Sequence, residues 1–242
     1  MSVLLSIEKA RAILFSGNEE ARQNFLQHFG PEINNFASEI VKSYNRLQEM
    51  ASRVPYDRRS AWVDEYLFAA FNSLLTSFHL RISGFNIPAG NLMRHYGEAT
   101  AMALLLSHRQ INTYDLLDKS LQFSVQKAPN MVMRTNNRQL LGMDQEGWKQ
   151  FVEINSFYDK YSHPSIFAVA STHVFSAPGA RQIGGGFDLE KKEAYQKEVR
   201  LAVSAAQQLF ETIKVAEHHL INSKSQADSS GQSLRAMTKR RE

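Results

Sequence analysis

The chain has 242 residues, 43% of them hydrophobic and 10% aromatic, so it is long enough to bury a substantial core. It contains no cysteine, which excludes a disulfide framework and thiolate chemistry and leaves only His and carboxylate ligands for any zinc site. The formal charge of +4 comes mostly from the end of the chain, where five basic residues face two acidic ones from Asn222 onward. The near-neutral body argues against strong binding of a nucleic-acid backbone by the folded part.

Two features of the chain predict a cytoplasmic protein without a membrane partner. The longest strongly apolar stretch, residues 99–106, is far shorter than the ~20 residues that span a bilayer. The first residues include Glu8, Lys9 and Arg11, where a signal peptide would need an unbroken apolar region. We therefore expect neither export nor membrane insertion.

Apolar residues recur at helical spacing along most of the chain, and no segment alternates as a strand would. The pattern predicts helices over residues 3–15, 19–29, 31 to about 47, 58–82, 86–107, 113–126, 129–139, 144–161, 165–175 and 189–221. Gly30 and Pro31 are expected to end one helix and open the next, and Asp57 to cap the helix that follows it.

These elements predict an all-α fold, a single multi-helix bundle of about nine helices with a long C-terminal helix. Residues 99–106 are apolar on every side, which places the helix of residues 86–107 in the middle of the bundle. From residue 222 the composition turns to Ser, Gln, Gly and basic residues without apolar periodicity. The predicted organisation is an all-helical domain over residues 1–221 and a disordered basic tail over residues 222–242.

The first candidate site lies at the start of that central helix. Arg94 and Glu98 are one helical turn apart and precede a wholly apolar run, where unpaired charges would be costly to desolvate. We expect them to form an ion pair, with His95 beside it. Such a pair either holds neighbouring helices together or faces a ligand, and both interpretations stay open.

The second candidate site is the junction between the predicted helices of residues 144–161 and 165–175. Backbone N–H groups at the start of a helix favour an anion and disfavour a protonated imidazole, so His163 should be mainly neutral. Tyr161, His163 and Ser165 could line a small polar pocket for a phosphate or a base. The alternative is that the residues around His163 only cap and orient the two helices.

The chain contains a predicted helix with the sequence LMRHYGEA and a later segment YSHPS. Both resemble features of uncharacterised bacterial helical proteins related to the HEPN group, and the resemblance covers about residues 60–220. This resemblance implies a helical fold that is often dimeric. It also implies either an RNA-cleaving component of a toxin–antitoxin or phage-defence system, or a protein without known activity. Ribonuclease members carry an Arg followed four to six residues later by His, and here only Arg22 and His28 have that spacing. We interpret that pair as a coincidence.

Other motifs are weaker. The glycine-rich residues 183–187 lack the Lys-Ser/Thr of a phosphate-binding loop and are interpreted as a mobile connection. Adjacent His218 and His219 point about 100° apart on a helix, so they cannot easily share one metal ion. No Glu-x-x-His pair is present, which argues against a di-iron bundle. We expect no metal and no cofactor.

Two functional hypotheses follow. The protein is either a non-catalytic binding or interaction component of a stress or defence system, or a ribonuclease or nucleotide-binding enzyme of the HEPN type. In the first, it binds a protein partner or forms a homodimer. Trp62, Phe68 and Phe71 are a candidate dimer face, but they would serve the core of a monomer equally well.

In the second hypothesis, Arg94 would hold a phosphate of RNA or a nucleotide, Glu98 would orient it, and His163 would act as general acid or base. Convergence of these three residues in an open cleft would favour the enzyme. An Arg94–Glu98 pair sealed in the core would favour the binding protein.

Overall fold

The computed structural model describes residues 7–8, 11, 17–111, 127–161, 169, 172–177 and 184–238, with side chains up to residue 222. The structure is 84% helical, and no strand is present among the described residues. The predicted all-α fold class is confirmed.

Seven α-helices lie in the described residues, a number that does not match the predicted nine. They are α1 (Glu19–Arg53), α2 (Arg58–Ile82), α3 (Asn86–Ser107), α4 (Ala128–Val132), α5 (Thr135–Leu141), α6 (Gln145–Tyr158) and α7 (Lys192–Thr238), with 3₁₀ turns at Asp159–Tyr161 and Leu189–Lys191. The predicted helix of residues 129–139 is divided between α4 and α5, and the predicted helices of residues 3–15, 113–126 and 165–175 lie largely outside the described residues.

The long helix α1 differs most clearly from its prediction. Pro31 kinks the helix at Phe29, which has φ −134° and ψ 22°, but does not end it. Phe25, Phe29 and Phe36 are all buried, on both sides of the kink. Because the apolar face continues across the proline, packing against the core holds the two predicted helices in one bent element.

Helix α2 begins and ends as its sequence predicts. The Asp57 carboxylate accepts a hydrogen bond from the Ser60 backbone N–H at 2.8 Å, and the Ser60 hydroxyl accepts one from the Asp57 N–H at 2.8 Å. This reciprocal pair is a capping box. After the helix, Gly84 adopts φ 79°, and a Cβ there would collide with the backbone of Gly186.

The glycine-rich residues 184–186 therefore have a packing role. A Cβ on Gly185 would lie 2.3 Å from the Ser83 carbonyl oxygen, and the Asn18 amide donates to that same oxygen at 2.7 Å. The close approach fits these residues against the α2–α3 turn, a role that the interpretation as a mobile connection missed.

Helix α3 lies at the centre of the described residues. All of its residues from Tyr96 to Ser107 are buried, as the all-round apolar pattern predicts. It packs antiparallel to α2, where the Ser77 hydroxyl donates to the Ala89 carbonyl at 2.7 Å, and against α7, where the Tyr96 hydroxyl donates to the Ala205 carbonyl at 2.8 Å.

Helix α7 starts at Lys192 and continues to Thr238. It therefore extends beyond residue 221, where the apolar pattern of the sequence predicts its end. The division into a domain of residues 1–221 and a disordered tail of residues 222–242 stays a prediction. Among the described helices, none combines the length and the apolar character needed to cross a bilayer.

Candidate functional site

The predicted ion pair on α3 is present. Arg94 Nε donates to Glu98 Oε1 at 2.9 Å, with 28% of the Arg94 side chain and 10% of the Glu98 side chain exposed. His95 Nδ1 lies 3.9 Å from the other carboxylate oxygen, but 68% of the His95 side chain is exposed. The pair thus sits at the edge of the core, with His95 as an outlying neighbour.

The Arg94–Glu98 pair opens on a cleft of about 270 Å³, which we call the α3–α6 cleft. The rest of its lining comes from α4, α6 and the residues next to them: Pro129, Asn130, Met133, Val152, Asn155, Ser156 and Asp159. The volume is slightly below the ~300 Å³ at which small-molecule pockets usually begin. The pair is therefore accessible, but the cleft holds only a small group.

Two glycines on one face of α3 let α6 and the 3₁₀ turn that follows it pack closely against this helix. A Cβ on Gly97 would lie 2.1 Å from Asn155 Oδ1, and a Cβ on Gly90 would lie 2.3 Å from the Tyr161 ring. Gly90 and Gly97 are two helical turns apart and so share a face. Neither has a positive φ, so it is close packing that requires glycine at these positions.

Tyr161, a predicted ligand-binding residue, lies in the core beside a buried ion pair. Its hydroxyl donates to Glu198, whose carboxylate pairs with the Arg81 guanidinium. The side chains of Arg81 and Glu198 are only 3% and 5% exposed, and Arg81 Nη1 also donates to Asn86 Oδ1 at 3.2 Å. Burial raises the pKa of Tyr161, against the lowering effect of Arg81, so the phenol stays protonated and donates to Glu198.

The remaining predicted residues, His163 and Ser165, lie outside the described residues. Whether His163 converges with Arg94 and Glu98 is therefore untested, and the roles assigned to all six predicted site residues stay predictions. Arg22 Nε donates to Ser83 Oγ at 3.0 Å, and the His28 ring stacks on Phe187. The interpretation of their spacing as a coincidence stays a prediction.

A larger cleft, of about 920 Å³, was not predicted. We call it the histidine cleft, since His108, which follows α3, meets His219 of α7 there with ring centroids 4.8 Å apart. Its lining comes from α1, the end of α3, the end of α5 and α7: Arg46, His108, Arg109, Gln110, Leu140, Leu141, Gly142, Glu211, Lys214, Val215, Glu217, His218, His219, Ile221 and Asn222. The signal in the sequence was a histidine directly after the apolar helix, but nothing local linked it to the histidine pair on α7.

The hydrogen bonds of Ser107 favour one tautomer of His219. Because the Ser107 hydroxyl donates to the Leu104 carbonyl at 2.7 Å, the arrangement favours the tautomer in which His219 Nδ1, 3.0 Å from the same oxygen, carries the hydrogen and donates it. Burial of the ring, helped by His108 and other cationic neighbours, lowers the pKa of His219 to about 4. At neutral pH the ring is uncharged, and its Nε2 is a hydrogen-bond acceptor.

A third feature is an apolar surface on α1 and α2, which we call the α1–α2 face and define as Val41, Tyr44, Phe68 and Leu75. These side chains are between 42% and 58% exposed. Phe71, buried beneath them, joins the two helices, because its ring centroid lies 5.7 Å from that of Tyr44 and 6.3 Å from that of Phe68. Three large apolar side chains and a tyrosine are thus exposed on two helices that the buried Phe71 ring joins.

The described residues contain no group of three or more His, Cys, Asp or Glu side chains placed to hold a metal ion. No family model, curated protein or solved structure matches the chain.

Proposed function

We propose that the protein is a non-catalytic interaction component that works by forming a homodimer through the α1–α2 face. The observation that carries this proposal is the exposure of Val41, Tyr44, Phe68 and Leu75 on two helices that the buried Phe71 ring joins. A cluster of exposed apolar side chains on a folded protein marks an interaction site. A cytoplasmic location and a role in stress or defence belong to the proposal too. The latter rests only on the resemblance to HEPN-related proteins.

The charge pattern of α2 supports the proposal that a partner covers the α1–α2 face. No charged residue occurs from Tyr66 to Phe78, although Phe68, Asn72 and Leu75 in this stretch are exposed. A helix face that stays in water usually carries charges, whereas the centre of a protein interface is depleted of them. On α1, Lys42 lies beside the face but is paired with Glu39 at 2.7 Å.

A second copy of the chain is the occupant that this surface fits best. In a two-fold symmetric contact the same surface of both subunits meets, so a face that carried charges of one sign would repel its copy on the other subunit. The α1–α2 face has no charged member and avoids that cost. Phe68 and Leu75 are seven residues apart, which is about 10 Å along α2, so the defined face would form the uncharged centre of the ~800 Å² that each partner buries in a standard interface.

The dimer predicts a specific effect of Phe68→Glu. In the wild type, we expect a molar mass of twice 27.5 kDa by sedimentation equilibrium at micromolar concentration. In the variant, two carboxylates would have to be desolvated against apolar side chains across the symmetry axis, so we expect a monomer of 27.5 kDa. Phe68 is 45% exposed, so the fold should tolerate the change, which circular dichroism checks.

Leu189→Glu is the matched control, because Leu189 is also large, apolar and exposed but lies before α7. It should leave the dimer intact. A wild-type protein that stays monomeric throughout the micromolar range would refute the proposal, as would equal loss of the dimer in both variants.

A ribonuclease of the HEPN type is the second candidate, because the Arg94–Glu98 pair opens on the α3–α6 cleft and is not sealed in the core. In this function Arg94 would hold a phosphate of the RNA and Glu98 would orient the Arg94 guanidinium. His163 would act as general acid or base. His95 and Ser165 would contribute contacts to the ligand, whereas Tyr161 is buried against Glu198 and does not line the cleft.

This candidate predicts cleavage of a mixed single-stranded RNA pool by the full chain, with a loss of at least about 100-fold in Arg94→Ala and in His163→Ala. Arg200→Ala, which removes an exposed arginine of α7 outside the cleft, should cleave at the wild-type rate. Absence of cleavage by the folded wild type, or equal rates in all the variants, would exclude the ribonuclease hypothesis. The interaction component would then be the remaining proposed function.

A further inference from the structure

The histidine cleft has more positive than negative charge among its described lining residues. Its two carboxylates are already paired, Glu211 with Lys214 at 2.8 Å and Glu217 with Arg46. Arg109 is exposed and has no hydrogen bond or ion pair among the described residues. An unpaired guanidinium at the mouth of a concave site can bind an anion, and it binds phosphate with two parallel hydrogen bonds.

Part of the lining of the cleft is apolar. Leu140, Leu141, Val215 and Ile221 contribute to it, and Leu141 is buried. The volume of about 920 Å³ lies within the ~300–1,000 Å³ typical of pockets for small molecules. The cleft therefore offers both apolar side chains and an exposed guanidinium to one ligand.

His219 adds a directional contact to these two. Its Nδ1–H is used by Ser107, which leaves Nε2 to accept a hydrogen bond from a ligand N–H or O–H. The His108 ring packs edge-on against the His219 ring, with an angle of 88° between the two ring planes. Such an acceptor in a cleft with apolar side chains fits an amino-bearing heterocycle.

We propose that the histidine cleft binds a small phosphate-bearing molecule with a flat apolar body, of the size and chemistry of a nucleoside monophosphate. Arg109 binds the phosphate, the leucine and valine side chains contact the ring system, and His219 Nε2 accepts from an amino group. This site is separate from the α1–α2 face and from the α3–α6 cleft, so it goes beyond the proposed function.

The first test is calorimetric titration of the full chain with adenosine monophosphate, with adenosine and with inorganic phosphate. We expect binding of the nucleotide, and binding at least about 10-fold weaker for adenosine and for phosphate, since each lacks one of the two contacts. Arg109→Ala should weaken nucleotide binding about 10-fold. Arg200→Ala, the same change at an exposed position outside the cleft, should bind as the wild type does.

The second measurement is the titration of the imidazole signals by NMR, with His219→Gln to identify the His219 resonance. The amino group of the nucleotide donates to Nε2 only while this nitrogen carries no proton, so the bound nucleotide should keep the pKa of His219 at or below about 4. The signal of exposed His95, which does not line the cleft, should not change when the nucleotide is added.

Three results would overturn the proposal: no nucleotide binding at millimolar concentration, equal affinity for adenosine and the nucleotide, or equal weakening by Arg109→Ala and Arg200→Ala. The monomeric Phe68→Glu variant should bind the nucleotide as the wild type does. A failure of the dimer and a failure of the nucleotide site are therefore distinguishable.

Discussion

Replacing Glu198 with leucine should lower the free energy of unfolding by about 3–5 kcal/mol, the cost of leaving one charge of a buried pair without its partner. Arg81 is 2% exposed and would keep the Asn86 amide oxygen and its contacts with Tyr161, whose ring centroid lies 5.7 Å from the guanidinium carbon. The Tyr161 hydroxyl would lose its acceptor as well. Urea denaturation monitored by circular dichroism measures the loss.

The source of this loss is tested by removing the whole network at once. In the triple variant Arg81→Met, Glu198→Leu and Tyr161→Phe, apolar side chains of similar volume replace all three members of the network, and only the Asn86 amide oxygen loses a donor. We expect it to be more stable than Glu198→Leu alone and to approach the wild type. Glu153→Leu is the surface control, since Glu153 of α6 is exposed, and its effect should stay within about 0.5 kcal/mol.

The argument for a buried, tightly coupled network would be wrong if Glu198→Leu cost less than about 1 kcal/mol, the value of an exposed pair. It would be wrong too if the triple variant were no more stable than the single one. A larger stability in the triple variant than in the wild type agrees with the argument, since desolvation of a buried ion pair can exceed its attraction.

Gly90→Ala should destabilise the protein by about 2–3 kcal/mol, although alanine is the better helix former by about 1 kcal/mol. The added Cβ would lie 2.3 Å from Cγ of Tyr161 and under 3 Å from both neighbouring ring carbons. The ring cannot simply move aside, because its hydroxyl is bound to Glu198 and the residue is only 3% exposed. Either α3 shifts away from the 3₁₀ turn or the network at Glu198 opens.

Gly30→Ala is the matched control, because a Cβ there would meet only Leu26 at an ordinary 3.9 Å. It should leave stability unchanged or raise it by up to about 1 kcal/mol. In a Tyr161→Ala background the ring is gone, and Gly90→Ala should cost much less. An equal cost in both backgrounds would mean that Tyr161 is not what requires glycine at this position.

The features that local sequence predicted correctly are those that local chemistry determines. The Arg94–Glu98 pair follows from i,i+4 spacing, the cap at Asp57 from a side chain that reaches the next turn, and the burial of α3 from an apolar run on all sides. The kink at Pro31 shows the limit of such rules. There the buried aromatic residues on both sides decided that one helix continues.

By itself, then, the sequence determined the helical class, the central helix and the close pairs within a turn. Only the tertiary structure decided which distant residues meet. Ser107 and His219 are 112 residues apart, and Tyr161 reaches Glu198 across a separation of 37. Helical periodicity tells which face of a helix is buried but not which other helix covers it, because that choice depends on the packing of whole faces. The histidine cleft and the buried network are consequences of that packing.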